Sequence, residues 1–308
     1  MTDLLAKLPP DPLLERRRVV QLMSQKTQRA RSLRSGLFLS LLVSALMVAI
    51  IPLFFVCAAL VQRGFKVLSW GFLTQVPQQP TLMQQDTIGG VGNAIIGSLV
   101  VDGVAALVAV PLGIILGLYL SETQSRPATA LRSITEIMTG LPSILLGVFA
   151  YVYIVLNMHA FTGFAGAMAL ALLMTPVITK AAETALRNVP RTLTEAGLAL
   201  GARQSKVSLK VVLPVAAPGI ITGVLLALAR AIGETAPLLL VMGASIQYEW
   251  NPLHPMSALP LMTFNYSSAA YDSQHAAAWG VAIVLVAIVL ILNVMSRLVA
   301  AFMRRERH

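Results

Sequence analysis

Val189-Pro-Arg-Thr-Leu-Thr-Glu-Ala-Gly-Leu-Ala-Leu-Gly-Ala-Arg-Gln-Ser-Lys-Val-Ser-Leu-Lys-Val-Val-Leu-Pro214 is a polar island between two long apolar blocks. Its pattern is that of a short helix with one greasy face. Thr192 and Glu195 have the Thr-x-x-Glu spacing of a capping box, in which the hydroxyl takes an orphan amide and the carboxylate reaches back to the cap amide. Leu193, Ala196, Gly197 and Leu200 then recur at i, i+3, i+4 and i+7, and Gly201 can take the left-handed conformation that ends a helix. A helix of about ten residues is marginal alone in water, so its apolar face needs a groove in its own bundle or on a partner.

The flanks of this island set the fold class. Of 308 residues, 56% are hydrophobic and 12% charged, against roughly 45–50% and about 25% in soluble domains. The apolar residues run in long blocks, and six of these reach the roughly 20 helical residues that a hydrocarbon core of about 30 Å requires. They lie near 37–61, 94–120, 137–156, 163–181, 218–241 and 277–302. The expectation is an all-α polytopic membrane protein with six transmembrane helices, in which 1–36 form a basic tail and 189–214 a cytoplasmic loop. A soluble enzyme is excluded.

The net charge of +10 is a matter of sidedness. Eight Lys and Arg lie in the tail, two at 121–136, six at 180–214 and four at the C-terminal end, whereas the opposite flanks hold only Arg63 and Lys66. That asymmetry follows the positive-inside rule, with both termini cytoplasmic and the Lys- and Arg-free loop 243–276 outside. It assigns the charge to the membrane surface and its lipid, not to nucleic acid. The run Leu37–Val61 exceeds the roughly 7–15 apolar residues of a secretory signal and reads as a retained span. In the tail, Leu13, Leu14, Val19 and Val20 alternate with Arg16, Arg17, Arg18 and Lys26, which suits either a helix lying on an anionic leaflet or a disordered basic segment.

Several chemistries drop out. One cysteine, Cys57, and four scattered histidines, His159, His254, His275 and His308, build neither a disulfide framework nor a metal cluster at sensible spacing. No Gly-Lys dipeptide occurs, so no phosphate-cradling loop of the G-x-x-x-x-G-K-[ST] type exists, and ATP, if used, is bound by another chain. Within the spans, ionisable groups are costly and mark a pathway or an internal pair. Asp102 has no basic residue within helical reach, so it either sits at a polar subunit or span junction or is protonated, and a structural role is the favoured reading. Arg230 and Glu234 are four apart on one helix face. Either they neutralise each other and fix the packing of the fifth span, or Arg230 is the cation on an anion's route, with Glu234 holding its rotamer. Pro111, Pro142, Pro176 and Pro237 are expected to interrupt spans.

Two segments carry a family resemblance. Glu195-Ala196-Gly197, three residues, Gly201, nine residues, then Val211-Val-Leu213-Pro214 resembles the EAA motif of ABC importer permeases, E-A-A-x3-G-x9-I-x-L-P, with Gly197 for Ala and Val211 for Ile. Ala229-Arg230-Ala231-Ile232-Gly233-Glu234-Thr235-Ala236-Pro237-Leu238 resembles the R-A-x-G-E-T-A-P segment of phosphate importer permeases, and Gly140-Leu141-Pro142-Ser143-Ile144 and Leu259-Pro260-Leu261 fit the same subunits. From about 36 to 303 the chain is similar to the PstA-type permeases of phosphate ABC importers, with a type I, MetI-like bundle. The resemblance implies an inner-membrane subunit of a prokaryote that is no catalyst itself. It also implies coupling residues Thr192, Glu195, Ala196, Gly197, Gly201, Leu213 and Pro214, and an inorganic phosphate pathway at Arg230, Glu234 and Thr235. The implied partners are a PstC-type permease, a PstB-type ATPase dimer and an extracytoplasmic phosphate-binding protein. A permease subunit for phosphonate or molybdate, a self-contained secondary transporter and a pathway-free scaffold are the rival readings.

Overall fold

The computed structural model describes residues 12–78 and 88–305, with side chains described for 35–78 and 88–298. Helix α1, Pro12–Val67, runs unbroken through the expected span 37–61. Residues 1–11 of the basic tail, and the side chains of the rest of it, lie outside the described set, and the backbone from Pro12 onward is helical. The chain divides into two units, Met1–Ala59 and Leu60–His308. In the first, every side chain from 35 to 57 is exposed, including Leu37, Phe38, Leu42, Leu46, Ile50 and Phe54. A helix apolar on all sides has its solvent in lipid tails.

The second unit continues with a short α2, Trp70–Thr74, then α3, Gly92–Glu122, and α4, Arg126–Gly140. Next come α5, Ser143–Met158, with a π turn at Tyr151–Val155, and α6, Gly163–Arg187. The short α7 is Arg191–Ala199, followed by α8, Gln204–Ala231, which also opens with a π turn, Ser208–Val212. The remaining helices are α9, Ala236–Val241, α10, Leu259–Ser267, and α11, Asp272–Arg305. Among the described residues five helices are long and apolar enough to cross a membrane, or six where the bent pair of α4 and α5 counts as one span.

Two expected spans are broken. The third, placed at 137–156, is divided at Leu141 and Pro142, where α4 and α5 bend by 106°. Both residues have extended backbone, because a proline lacks the N–H a helix needs and pushes the residue before it out of the helical region. The fifth, placed at 218–241, is divided at 232–235, where Gly233 weakens the helix and Pro237 opens a new one at a position that needs no donor. Pro111 and Pro176, by contrast, sit inside unbroken helices. The fourth span, placed at 163–181, continues to Arg187 and so brings Glu183 and Arg187 into the helix.

Helix α6 is the axis of this unit. Close approach needs small residues where the van der Waals fit between helices replaces the hydrophobic drive. A Cβ on Gly117 of α3 would lie 2.5 Å from that of Ala182, and one on Gly113 would lie 2.7 Å from Ile178. Gly219 and Gly223 of α8 meet Ala185 and Ala181 in the same way. The core between the three helices holds Ala105, Ala109, Ala171, Met174, Ile178 and Ala227. Asp102 of α3 is buried, 7% exposed, and makes no ion pair or hydrogen bond among the described residues.

An ionic cluster fixes one end of this packing. Glu183 Oε1 receives Arg132 Nε at 3.0 Å and lies 2.9 Å from terminal nitrogens of both Arg132 and Arg187. The two guanidiniums also donate to the carbonyl of Leu120, at 3.1 and 3.2 Å. That carbonyl belongs to the last turn of α3, which has no partner of its own and carries the negative end of the helix dipole. One carboxylate and one carbonyl therefore tie α3, α4 and α6 together. At the opposite end Glu249 accepts from the amides of Trp250 and Asn251 at 3.0 and 2.9 Å and pairs with His254 Nδ1 at 2.9 Å.

Two expectations follow. Glu183→Ala leaves two cations and a helix end without their acceptor, and because both arginines are partly solvated the loss should be about 1–3 kcal/mol. A fall of several degrees in the melting temperature of the purified protein, smaller for Glu183→Gln, is expected, and an unchanged melting curve would contradict it. The Asn251 amide foremost, and then His254, hold the Glu249 carboxyl below the usual carboxylate range. Its capping is therefore complete at neutral pH and is lost as acid protonates it. Hydrogen exchange at the Trp250 and Asn251 amides should accelerate on acidification after correction for intrinsic rates, and Glu249→Gln should abolish that dependence.

Candidate functional site: an end-capped helix and a mid-bundle arginine

Helix α7 starts two residues earlier than the capping-box spacing predicts. Its cap position is Pro190, whose carbonyl receives the Leu193 amide at 3.2 Å, and no side chain caps it. Proline's fixed φ pre-sets the first turn, so Thr192 becomes the second helical residue, exposed, with its hydroxyl past the cap position.

The C-terminal end follows the sequence closely. Gly201 has φ +76°, its amide donates to Leu198 O at 2.9 Å, and the Ala202 amide reaches back to Gly197 O at 3.3 Å. This six-to-one and five-to-two pair is a Schellman closure, and it requires glycine at the left-handed position. The glycine of the EAA-like motif therefore stops α7 after nine residues. Gly197 turns inward, where a Cβ would come 2.9 Å from Val207 in the first turn of α8, which accounts for glycine in place of the motif's second alanine. Leu193, Glu195, Ala196, Leu198 and Leu200 are exposed, Leu200 by 88%. The displayed apolar face thus omits Gly197 and gains Leu198. Leu213 and Pro214 stand where α8 leaves its π turn and becomes regular helix, Leu213 half-buried and Pro214 exposed.

Arg230 occupies the last turn of α8, where a cation complements the helix dipole. The chain then turns through Gly233 and Glu234, whose amides donate to Arg230 O and Ala231 O at 3.1 and 3.0 Å. This turn, not a continuous helix, brings Glu234 Oε1 to 3.4 Å from Arg230 Nε. The pair is loose and unequal, with the arginine side chain 52% exposed and the carboxylate 18%. The depth of the pair can be read from packing. Gly219 meets Ala185 and Gly223 meets Ala181, so α8 and α6 run antiparallel in step, and continuing that register sets Arg230 level with Met174, midway along α6. Thr235 precedes α9, half-buried, its carbonyl receiving the Leu239 amide at 3.1 Å. Beyond it Pro237 lies against Gly147 of α5, where a Cβ would be 2.7 Å from the proline Cα. The two broken spans therefore meet close to the arginine. The structure does not bring the α7 residues and the Arg230 group together, since they sit at the end and the middle of the bundle.

Sequence reasoning missed the Arg132, Glu183 and Arg187 cluster. Its signal was present in the i, i+4 spacing of Glu183 and Arg187 beside an apolar run, and was hidden by ending the fourth span at 181.

Comparison with known proteins places this architecture. A family model described as a binding-protein-dependent transport system inner membrane component matches residues 109–305. A phosphate transport system permease protein PstA of Haemophilus influenzae is 37% identical over 254 residues, 81% of this chain and 88% of that one. A probable PstA of Methanocaldococcus jannaschii is 35% identical over 267 residues, 86% and 93% of the two chains. Among solved structures, a bacterial alginate ABC transporter in complex with its alginate-bound periplasmic protein shares the fold at a TM-score of 0.61 and 15% identity, over 85% of this chain and 93% of that one. The inward-facing MetNI methionine ABC transporter does so at 0.53 and 22%, over 69% and 94%. This is a multi-pass inner-membrane transport protein and not an enzyme. The chain belongs to the family of binding-protein-dependent transport system inner membrane components and, within it, to the PstA-type permeases.

Proposed function

We propose that this chain is one permease half of an ATP-driven phosphate importer, with a PstC-type permease as the other half, a PstB-type ATPase pair on the cytoplasmic side and an external phosphate-binding protein. Both termini and α7 face the cytoplasm, as the distribution of Lys and Arg requires. Phosphate enters the reading from the names of the PstA relatives. The observation that carries it is Arg230, half-exposed at a helix break in the middle of an apolar bundle and held by Glu234 at only 3.4 Å.

A guanidinium in that place is costly unless something repays it. A tetrahedral oxyanion does so through forked, charge-assisted bonds. Glu234 has two uses there. It keeps the empty arginine from standing as a lone charge, and it must yield when the anion arrives, which the loose contact permits. Irregular backbone at membrane depth, here 232–235 and 141–142, is tolerated where it lines a water-filled path or is covered by protein. At the inner end, α7 offers Leu193, Leu198 and Leu200 with Glu195 beside them to a cleft on the ATPase. Movement of α7 then reaches the bundle through α6, whose last turn is held to α3 and α4 by Glu183.

The chain alone in proteoliposomes should accumulate no phosphate, and the complex with both partner subunits, binding protein and ATP should. Within that complex Arg230→Gln should cut uptake about ten- to a hundredfold, the worth of a charge-assisted bond of about 1.5–3 kcal/mol, with ATPase binding preserved. Uptake that survives Arg230→Gln would return the ion pair to a packing role. Leu200→Asp should do the reverse, abolishing co-purification of the ATPase while the permease still folds. Arsenate, and neither molybdate nor sulfate, should compete with phosphate.

A further inference from the structure

We infer that Lys180 forms a second cationic station on the anion's route, one step inward of Arg230, an inference that rests on the oxyanion pathway proposed above. Helix α6 is otherwise covered. Along its whole length the exposed residues are Lys180, Thr184 and Arg187, which share one stripe at i, i+4 and i+7. Arg187 is committed to Glu183 and the Leu120 carbonyl, and the Thr184 hydroxyl is turned back onto the Lys180 carbonyl at 2.8 Å. The Lys180 ammonium makes no ion pair and no hydrogen bond among the described residues.

Packing shows where this stripe looks. Ile178 and Ala182 face α3, Ala181 and Ala185 face α8, and Glu183 faces Arg132 of α4. The sector left over lies between α8 and α4. On α6 the stripe residues Lys180 and Thr184 each precede an α8-facing alanine by one position. On α8 the exposed Leu226 precedes the fully buried Ala227 by one position. In an antiparallel pair equal offsets from the contact line fall on the same side, so the open flanks of both helices border one groove. Arg230 is four residues beyond Leu226, about 40° round the helix from it, and like Leu226 it precedes a fully buried alanine, here Ala231, so its half-exposed side chain lies toward the same flank. Since Arg230 is level with Met174, Lys180 lies six residues, about 9 Å, nearer the basic end.

The two cations suit different tasks. Arg230 is a planar fork with a carboxylate partner and can select a tetrahedral oxyanion, while Lys180 is a single point charge without a partner, able to draw the same anion inward and release it. The bland alternative is a lysine whose stem lies along lipid and whose ammonium reaches the headgroups. That role predicts no effect on transport.

The test uses the complete complex in proteoliposomes, reading phosphate uptake and binding-protein-stimulated ATP hydrolysis together. Lys180→Gln should lower maximal uptake about tenfold while ATP hydrolysis stays within about twofold, Lys180→Arg should keep at least half of the uptake, and Lys180→Glu should fall below Lys180→Gln. In a Cys57→Ser background with cysteine-free partners, Lys180→Cys should regain uptake after reaction with aminoethyl methanethiosulfonate, which restores a positive charge, and not with the sulfonatoethyl reagent. Restoration of charge also separates a pathway role from a folding defect. Uptake within twofold of wild type in Lys180→Gln, or no recovery with the cationic reagent, overturns the inference. If Lys180→Gln is silent while Arg230→Gln is inactive, only this station falls. If Arg230→Gln is also silent, the oxyanion pathway falls with it.

Discussion

A helix that ends inside a hydrocarbon layer strands amide and carbonyl groups where no water can reach them, and this constraint orders the whole molecule. Most of the described chain obeys it with long unbroken helices, even across Pro111 and Pro176. It is relaxed in the bundle at 141–142 and 232–235, and the helices that follow those two breaks meet where Pro237 sits on Gly147. Broken backbone, a helix-terminal arginine and its loosely held glutamate thus fall in one neighbourhood. Their coincidence is what supports the proposal that the anion passes there.

The close helix contacts serve the same end. Gly113, Gly117, Gly219 and Gly223 let α3 and α8 approach α6 so tightly that the register of the three is fixed by backbone contact. Register is what sets Arg230 at mid-bundle and α7 at its end. The Glu183 cluster then locks α3, α4 and α6 at the point where the chain leaves α6 for α7. In the proposed importer a force on α7 would reach three helices at once.

Much of this was legible in the sequence. Apolar block length gave the long apolar helices, five of them long enough to cross a membrane and the sixth block bent at Pro142, and the spacing Glu195-x5-Gly201 gave a short helix with a left-handed stop, which Gly201 supplies at φ +76°. The pairing of Arg230 with Glu234 was also legible, though a continuous helix was assumed where a turn does the work. What could not be read depends on tertiary context. Periodicity alone does not say that Pro142 and Gly233 break spans while Pro111 and Pro176 do not, because the difference lies in which neighbours take up the freed backbone groups. Nor does the spacing Thr192-x-x-Glu195 say that Pro190 would start the helix first. The salt-bridge cluster escaped because its partners lie 51 residues apart in the chain.

The central claim is that an apolar helix on the inner face of a permease without its own ATPase site transmits the driving force for an anion. The most direct test replaces residues 191–201 with a flexible Gly/Ser linker in the otherwise complete complex and measures ATP-dependent phosphate accumulation in proteoliposomes. Accumulation should vanish while the permease pair remains folded and membrane-inserted. Undiminished accumulation through the linker-bearing protein would contradict the claim.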